Sequence, residues 1–105
     1  MASWVTPPAI AAYSASKSAA WGFTNALRIH LREQGTQVLG LHVGYMDTDM
    51  TAGLDLNKVN PAQVAAQTVD GIESGAEEVL ADEVTRAVKR ALSDDAGVYL
   101  TEPVL

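Results

Sequence analysis

Apolar and small residues recur with helical spacing through the first third of the chain. Ala19, Phe23, Leu27 and Leu31 form an i, i+4 stripe, with Ala20 and Trp21 beside it. Alanines crowd the stretch before it, at Ala11, Ala12 and Ala15. Arg28, Arg32 and Glu33 mark a wetter side, and Gly35 suits the residue past a helix end. The pattern predicts one long helix from Ala11 to Gln34. The period then changes. Thr36 to Val43 (TQVLGLHV) is apolar and β-branched between glycines and predicts a buried, parallel strand. From Asn60 to Ser74 the helical period returns, with Val64, Ala65, Thr68, Val69 and Ile72 on the inner face. Asn60, Pro61 and Gln63 make a capping-box start, and Gly75 closes the helix. Glu77 to Ala81 predicts a short strand. Asp82 can cap a third helix from Glu83 to about Leu92, with Val84, Ala87, Val88 and Ala91 inward.

Helix, strand, helix, strand, helix is the order of an α/β fold with a parallel sheet and helical crossovers. Two parallel strands are too few to stand alone in water. The expected architecture is therefore one partial domain, residues 1–105, with the sheet incomplete. Pro7-Pro8 makes Met1 to Ile10 an extended or turn segment, and Ser3-Trp4-Val5 could be the tail of a strand. Asp94 to Gly97 reads as a turn, and Val98 to Leu105 as an apolar end.

Composition changes this picture in three ways. The 105 residues are 48% apolar and 19% charged, a folded chain of one small domain. The net charge of −6 is uneven: +2 up to Met46, and −8 from Asp47 onward. That balance disfavours nucleic acid as a partner, since phosphate contacts need a basic surface. No cysteine is present, which excludes disulfides and Cys-ligated metal. No apolar run approaches the ~20 residues of a membrane span. Met1 to Thr6 lacks a basic segment followed by an apolar core, so no signal peptide is expected, and a cytoplasmic location is.

Candidate chemistry sits at Tyr13-Ser14-Ala15-Ser16-Lys17. Tyr13 and Lys17 lie one turn apart on one helix face. A phenol titrates near pH ~10, and a fixed ammonium favours its phenolate. The pair can act as a proton-transfer device. The plain alternative is a packed tyrosine beside a solvated lysine. The second candidate is Gly44 to Asn57 (GYMDTDMTAGLDLN), directly after a strand, where open α/β sheets bind ligands. Thr48 is placed there to hydrogen-bond a ligand amide. Asp47 and Asp49 lack the further spaced ligands of a cation site and read as turn or cap residues. His42, alone within a strand, reads as a packed or edge residue; no metal site is expected.

Taken together, Tyr13-Ser14-Ala15-Ser16-Lys17, the long helix, the strand Gln37 to Val43, and Gly44 with Thr48 four residues later resemble the C-terminal half of short-chain dehydrogenases/reductases. The resemblance runs from about Met1 to Leu92. It departs at Val43-Gly44, where Pro-Gly is usual. It implies the C-terminal part of a Rossmann-type doubly wound parallel sheet. It also implies an NAD(P)-dependent oxidoreductase acting on a small-molecule alcohol or carbonyl. By position, Tyr13 looks like the general acid/base. Lys17 looks like the residue that lowers the tyrosine pKa and binds the nicotinamide ribose. Gly44 and Thr48 look like the turn that holds the nicotinamide carboxamide.

The family's catalytic serine lies roughly 13 residues before the tyrosine, ahead of Met1 in this numbering. Ser3, ten residues before Tyr13, reads instead as a cap or turn residue. No G-x-G-x-x-G loop occurs anywhere, so the pyrophosphate cradle of NAD or NADP is missing. The expectation is a truncated chain, inactive alone. The alternative is a non-catalytic oligomerisation module derived from such an enzyme, forming a homo-oligomer through the Ala-rich helix.

Overall fold

The computed structural model describes residues 1–46, 52–53 and 58–101. A 3-10 turn at Pro8–Ile10 leads into helix α1 (Ala11–His30). Strand β1 (Gly40–His42), helix α2 (Pro61–Ser74), strand β2 (Glu78–Leu80) and helix α3 (Glu83–Ala91) follow, then a second 3-10 turn at Val98–Leu100. The fold is α/β, in the expected element order. β1 and β2 pair in parallel, with Gly40 opposite Glu78, Leu41 opposite Val79 and His42 opposite Leu80. Among the described residues, an isolated parallel bridge joins Met46, past β1, to Val59, just ahead of α2.

Both strands are shorter than the residue pattern predicts, for a local reason. β2 is hemmed in at both ends. Ala76 is held in the closure of α2, its N–H donating to Gly71 O at 2.9 Å. Asp82, two residues past Leu80, already caps α3. β1 can pair only along that short partner. The preceding residues are held by side chains instead: Arg28 Nε donates to Val38 O at 3.1 Å, and Gln37 Nε2 to Ala76 O at 3.0 Å.

The helix ends follow the capping residues. Asn60 caps α2 through Oδ1, which accepts from Ala62 N–H at 2.8 Å. Gly75 closes that helix at φ 76°. Asp82 Oδ1 accepts from Thr85 N–H at 2.8 Å. α1 stops at His30, four residues short of Gln34; Leu31 to Gly35 form a turn, and Gly35 sits at φ 75°. Ser3-Trp4-Val5 is not a strand tail. Trp4 and Val5 N–H both donate to Met1 O, at 2.9 and 3.2 Å, and the turn so formed buries both side chains.

Each predicted apolar face is met in part: Leu27 and Leu31, Val64 and Thr68, and Val88 and Ala91 are buried or half-buried, and the rest turn outward. On α1, Ser14 is buried and Trp21, Thr24 and Arg28 are half-buried, while Ala19 and Phe23 face outward. On α2, Val64 and Gly71 are buried; Ala65, Val69 and Ile72 are exposed. On α3, Thr85 is buried, Val88 and Ala91 are half-buried, and Val84 and Ala87 are exposed. Backbone proximity decides α2. A Cβ on Gly71 would stand 2.7 Å from Val79 Cγ2 and 3.1 Å from Leu39 Cδ1, so the helix meets the sheet at its glycine. The buried apolar core is small: Trp4, Val5, Val64, Val79 and Ala81.

Candidate active site

Tyr13 and Lys17 project from the first two turns of α1. Lys17 Nζ lies 5.4 Å from the centroid of the Tyr13 ring, within cation–π range. Tyr13 is half exposed. Ser16 Oγ donates to Tyr13 O at 2.6 Å, and Ser18 Oγ donates to Ser3 O at 2.8 Å. The second bond ties the N-terminal turn to the helix that carries the pair.

A cavity of about 760 Å³ opens in front of the pair. Tyr13, Lys17 and Trp21 line it from the helix, and Val43, Gly44 and Tyr45 from the segment after β1. Three of the four residues singled out in the sequence are thus brought to one space. The fourth, Thr48, lies outside the described residues, as do Asp47 and Asp49.

Gly44 is fixed by a residue that sequence reasoning treated only as a helix cap. Its N–H donates to Asp82 Oδ2 at 2.9 Å. A Cβ at position 44 would stand 2.9 Å from that same oxygen, so a larger residue would displace the carboxylate. Burial resists ionisation of the Asp82 carboxyl. Hydrogen bonds from Thr85 and Gly44, with the Met1 ammonium nearby, outweigh it and hold the pKa below the ordinary carboxylate value. The bond spans 38 positions of sequence. The one local sign of it is an aspartate two residues past a strand.

An aromatic stack braces β1, and two of its rings, His42 and Trp21, line the cavity. Trp4 lies on His42 with ring centroids 4.4 Å apart and 19° between planes, and Trp21 meets Trp4 edge-on at 6.2 Å. His42 Nε2 is 3.6 Å from Glu78 Oε2, too far for a hydrogen bond. Burial lowers the His42 pKa, and Glu78 opposes that shift in part. Among the described residues no group of three or more His, Cys, Asp or Glu could hold a metal ion. Among them, too, no helix is long and apolar enough to cross a membrane.

The cavity has the size of a small-ligand site, and Tyr13, Lys17 and Thr24 bring polar groups to its lining. The pyrophosphate end of a dinucleotide is not matched. Of the two glycines at positive φ, Gly75 closes α2 and Gly35 ends the turn after α1; neither begins a helix.

The family model of short chain dehydrogenases matches residues 1–59, which carry α1, β1 and the Gly44 turn. No curated protein and no solved structure matches the chain. The matched segment covers more than half of the 105 residues and contains every described residue of the cavity, so the chain belongs to the short-chain dehydrogenase family of oxidoreductases.

Proposed function

We propose that this chain carries the proton-transfer side of an NAD(P)-dependent oxidoreductase acting on an alcohol or carbonyl, and forms the C-terminal half of a Rossmann-type sheet. The observation that carries this reading is the shared cavity: Tyr13 and Lys17, one turn apart, face it together with the turn that leaves β1 at Gly44. Tyr13 Oη gives a proton to the substrate oxygen in reduction and takes one in oxidation. Lys17, one turn on, would donate to the ribose hydroxyls. The nicotinamide, when bound, supplies or accepts the hydride at the substrate carbon. The Gly44 N–H is already engaged by Asp82, so Gly44 serves through the path it gives the chain, with Thr48 as the proposed amide partner.

With no pyrophosphate cradle, these residues alone bind the nicotinamide end weakly and do not turn over. The test is an NMR titration with reduced nicotinamide mononucleotide, followed by NADH and NADPH fluorescence titrations. Saturating shifts at Tyr13, Lys17 and Gly44 are expected, with a Kd on the order of 1 mM, about −4 kcal/mol. The dinucleotides are expected to bind no more than about tenfold tighter, about 1.4 kcal/mol. No site-specific shift at saturating mononucleotide would sink the assignment of the site. Micromolar binding of NADH or NADPH would sink the inactivity of the chain alone.

A second reading, a non-catalytic oligomerisation module, is favoured by one observation. Phe23 and Ile29 on α1 are 66% and 67% exposed, among the most exposed large apolar side chains described.

A further inference from the structure

The carboxylate of Asp82 divides its two oxygens between two elements. Oδ1 accepts from Thr85 N–H at 2.8 Å and caps α3, and Oδ2 accepts from Gly44 N–H at 2.9 Å. A helix cap needs only one oxygen. The second bond reaches across from the end of β2 to the end of the neighbouring parallel strand, β1, where the chain turns into the cavity. Gly44 has no side chain to anchor it, and Asp82 takes the space a Cβ would fill. On the other flank of the turn, Val59 N–H donates to Tyr45 O at 2.7 Å. The peptides on either side of the Gly44–Tyr45 peptide are thereby held, and the carbonyl of the first, Val43 O, also accepts from the Met1 ammonium at 3.2 Å.

We propose that Asp82 is a positioning residue of the nicotinamide site: its Oδ2 fixes the Gly44 peptide and so sets the course of the chain past the ring. This rests on the reading of the Gly44 turn as the cofactor turn. Asp82 touches neither substrate nor cofactor; it acts through Gly44. A charge-assisted bond at a partly buried site is the stronger kind, and a peptide so held keeps one orientation. Without it the turn would sample several orientations, and binding would carry the cost of ordering them.

Capping and tethering can be separated. Serine caps a helix about as well as aspartate, but has one short oxygen and cannot also reach Gly44. Asparagine presents one acceptor to two donors and cannot satisfy both. The experiment compares the parent chain with Asp82→Ser and Asp82→Asn, by amide hydrogen exchange at Gly44 and Thr85 and by titration with reduced nicotinamide mononucleotide. In Asp82→Ser the Gly44 amide should exchange at least about tenfold faster while Thr85 stays protected, and the mononucleotide Kd should rise about fivefold or more. In Asp82→Asn one of the two amides must lose protection, and mononucleotide affinity should fall only if that amide is Gly44. Unchanged exchange at Gly44 in the serine variant overturns the tether. Faster exchange with unchanged mononucleotide affinity overturns the positioning role and leaves a structural bond. Absence of binding in the parent chain overturns the cofactor reading on which the role rests, and the exchange data still decide the tether separately.

Discussion

The indole of Trp4 lies flat on the imidazole of His42, at 4.4 Å between centroids. This stack covers a titratable group on the strand that leads into the cavity, and it gives the fold a pH response. Burial lowers the His42 pKa, against the opposing charge of Glu78. In the unfolded chain the imidazole takes its proton near pH ~6.5. The unfolded state therefore binds the proton first as pH falls, and stability drops. This contribution is fully present above about pH 7.5, falls as pH drops through ~6.5, and levels off below the folded pKa. Urea denaturation between pH 8 and pH 5 should show a falling midpoint. His42→Gln should flatten that slope, and Glu78→Gln should steepen it, since Glu78 favours the protonated ring. A slope unchanged in His42→Gln would assign the effect to other groups.

Gly71 and Gly22 make opposite predictions for one substitution. An added Cβ at Gly71 would meet Val79 Cγ2 at 2.7 Å, whereas nothing lies within 4 Å of one at Gly22. Gly71→Ala should destabilise by about 1–3 kcal/mol through overpacking of α2 against the sheet. Gly22→Ala, in the middle of exposed α1, should stabilise by about 0.5–1 kcal/mol through reduced freedom of the unfolded chain. Chemical denaturation of both variants checks the pair; equal effects would contradict the close approach at Gly71.

The sequence was legible where local chemistry decides the outcome. Asn60, Gly75 and Asp82 end or begin helices where their side chains or positive φ require it. The proximity of Tyr13 and Lys17 follows from helix geometry alone. The inward faces were less legible, because they depend on what each helix packs against. Ala19, Phe23, Leu27 and Leu31 read as a core stripe; Leu27 and Leu31 are half-buried, but Ala19 and Phe23 are exposed and Ser14 is turned inward. The Asp82–Gly44 bond and the Trp4–His42 stack were invisible for a different reason. Each joins residues more than thirty positions apart, and no local pattern encodes a pairing at that distance.

Arg28 shows the same limit and gives the third prediction. In sequence it marks the wet side of a helix. In the structure its Nε donates to Val38 O at 3.1 Å, one terminal nitrogen to Asn25 Oδ1 at 2.8 Å and the other to Glu77 O at 3.0 Å. The guanidinium clamps α1 to the approaches of both strands. A lysine has one nitrogen and cannot reproduce a planar fork. Arg28→Lys should cost about 1–3 kcal/mol in denaturant unfolding, although the charge is kept. A cost near zero would mean that water replaces these bonds without loss.

The exposed side of α1 gives the last prediction. Ala19, Phe23 and Ala26 follow one another at helical spacing and are all exposed, and Ile29 lies one turn beyond Ala26. Small residues beside two large apolar ones allow a second helix to approach closely, and covering Phe23 and Ile29 fully contributes about 1.5–3 kcal/mol for each side chain. A homo-oligomer formed through this face should appear in sedimentation velocity as a concentration-dependent rise in mass. Phe23→Ser with Ile29→Ser should return the chain to monomer. Neither position lines the cavity, so mononucleotide shifts at Tyr13 and Lys17 should persist in the double variant. A parent chain that stays monomeric at all concentrations would remove the oligomerisation reading. A double variant that stays oligomeric would move the interface to another surface, with exposed Val69 and Ile72 on α2 the next to be substituted.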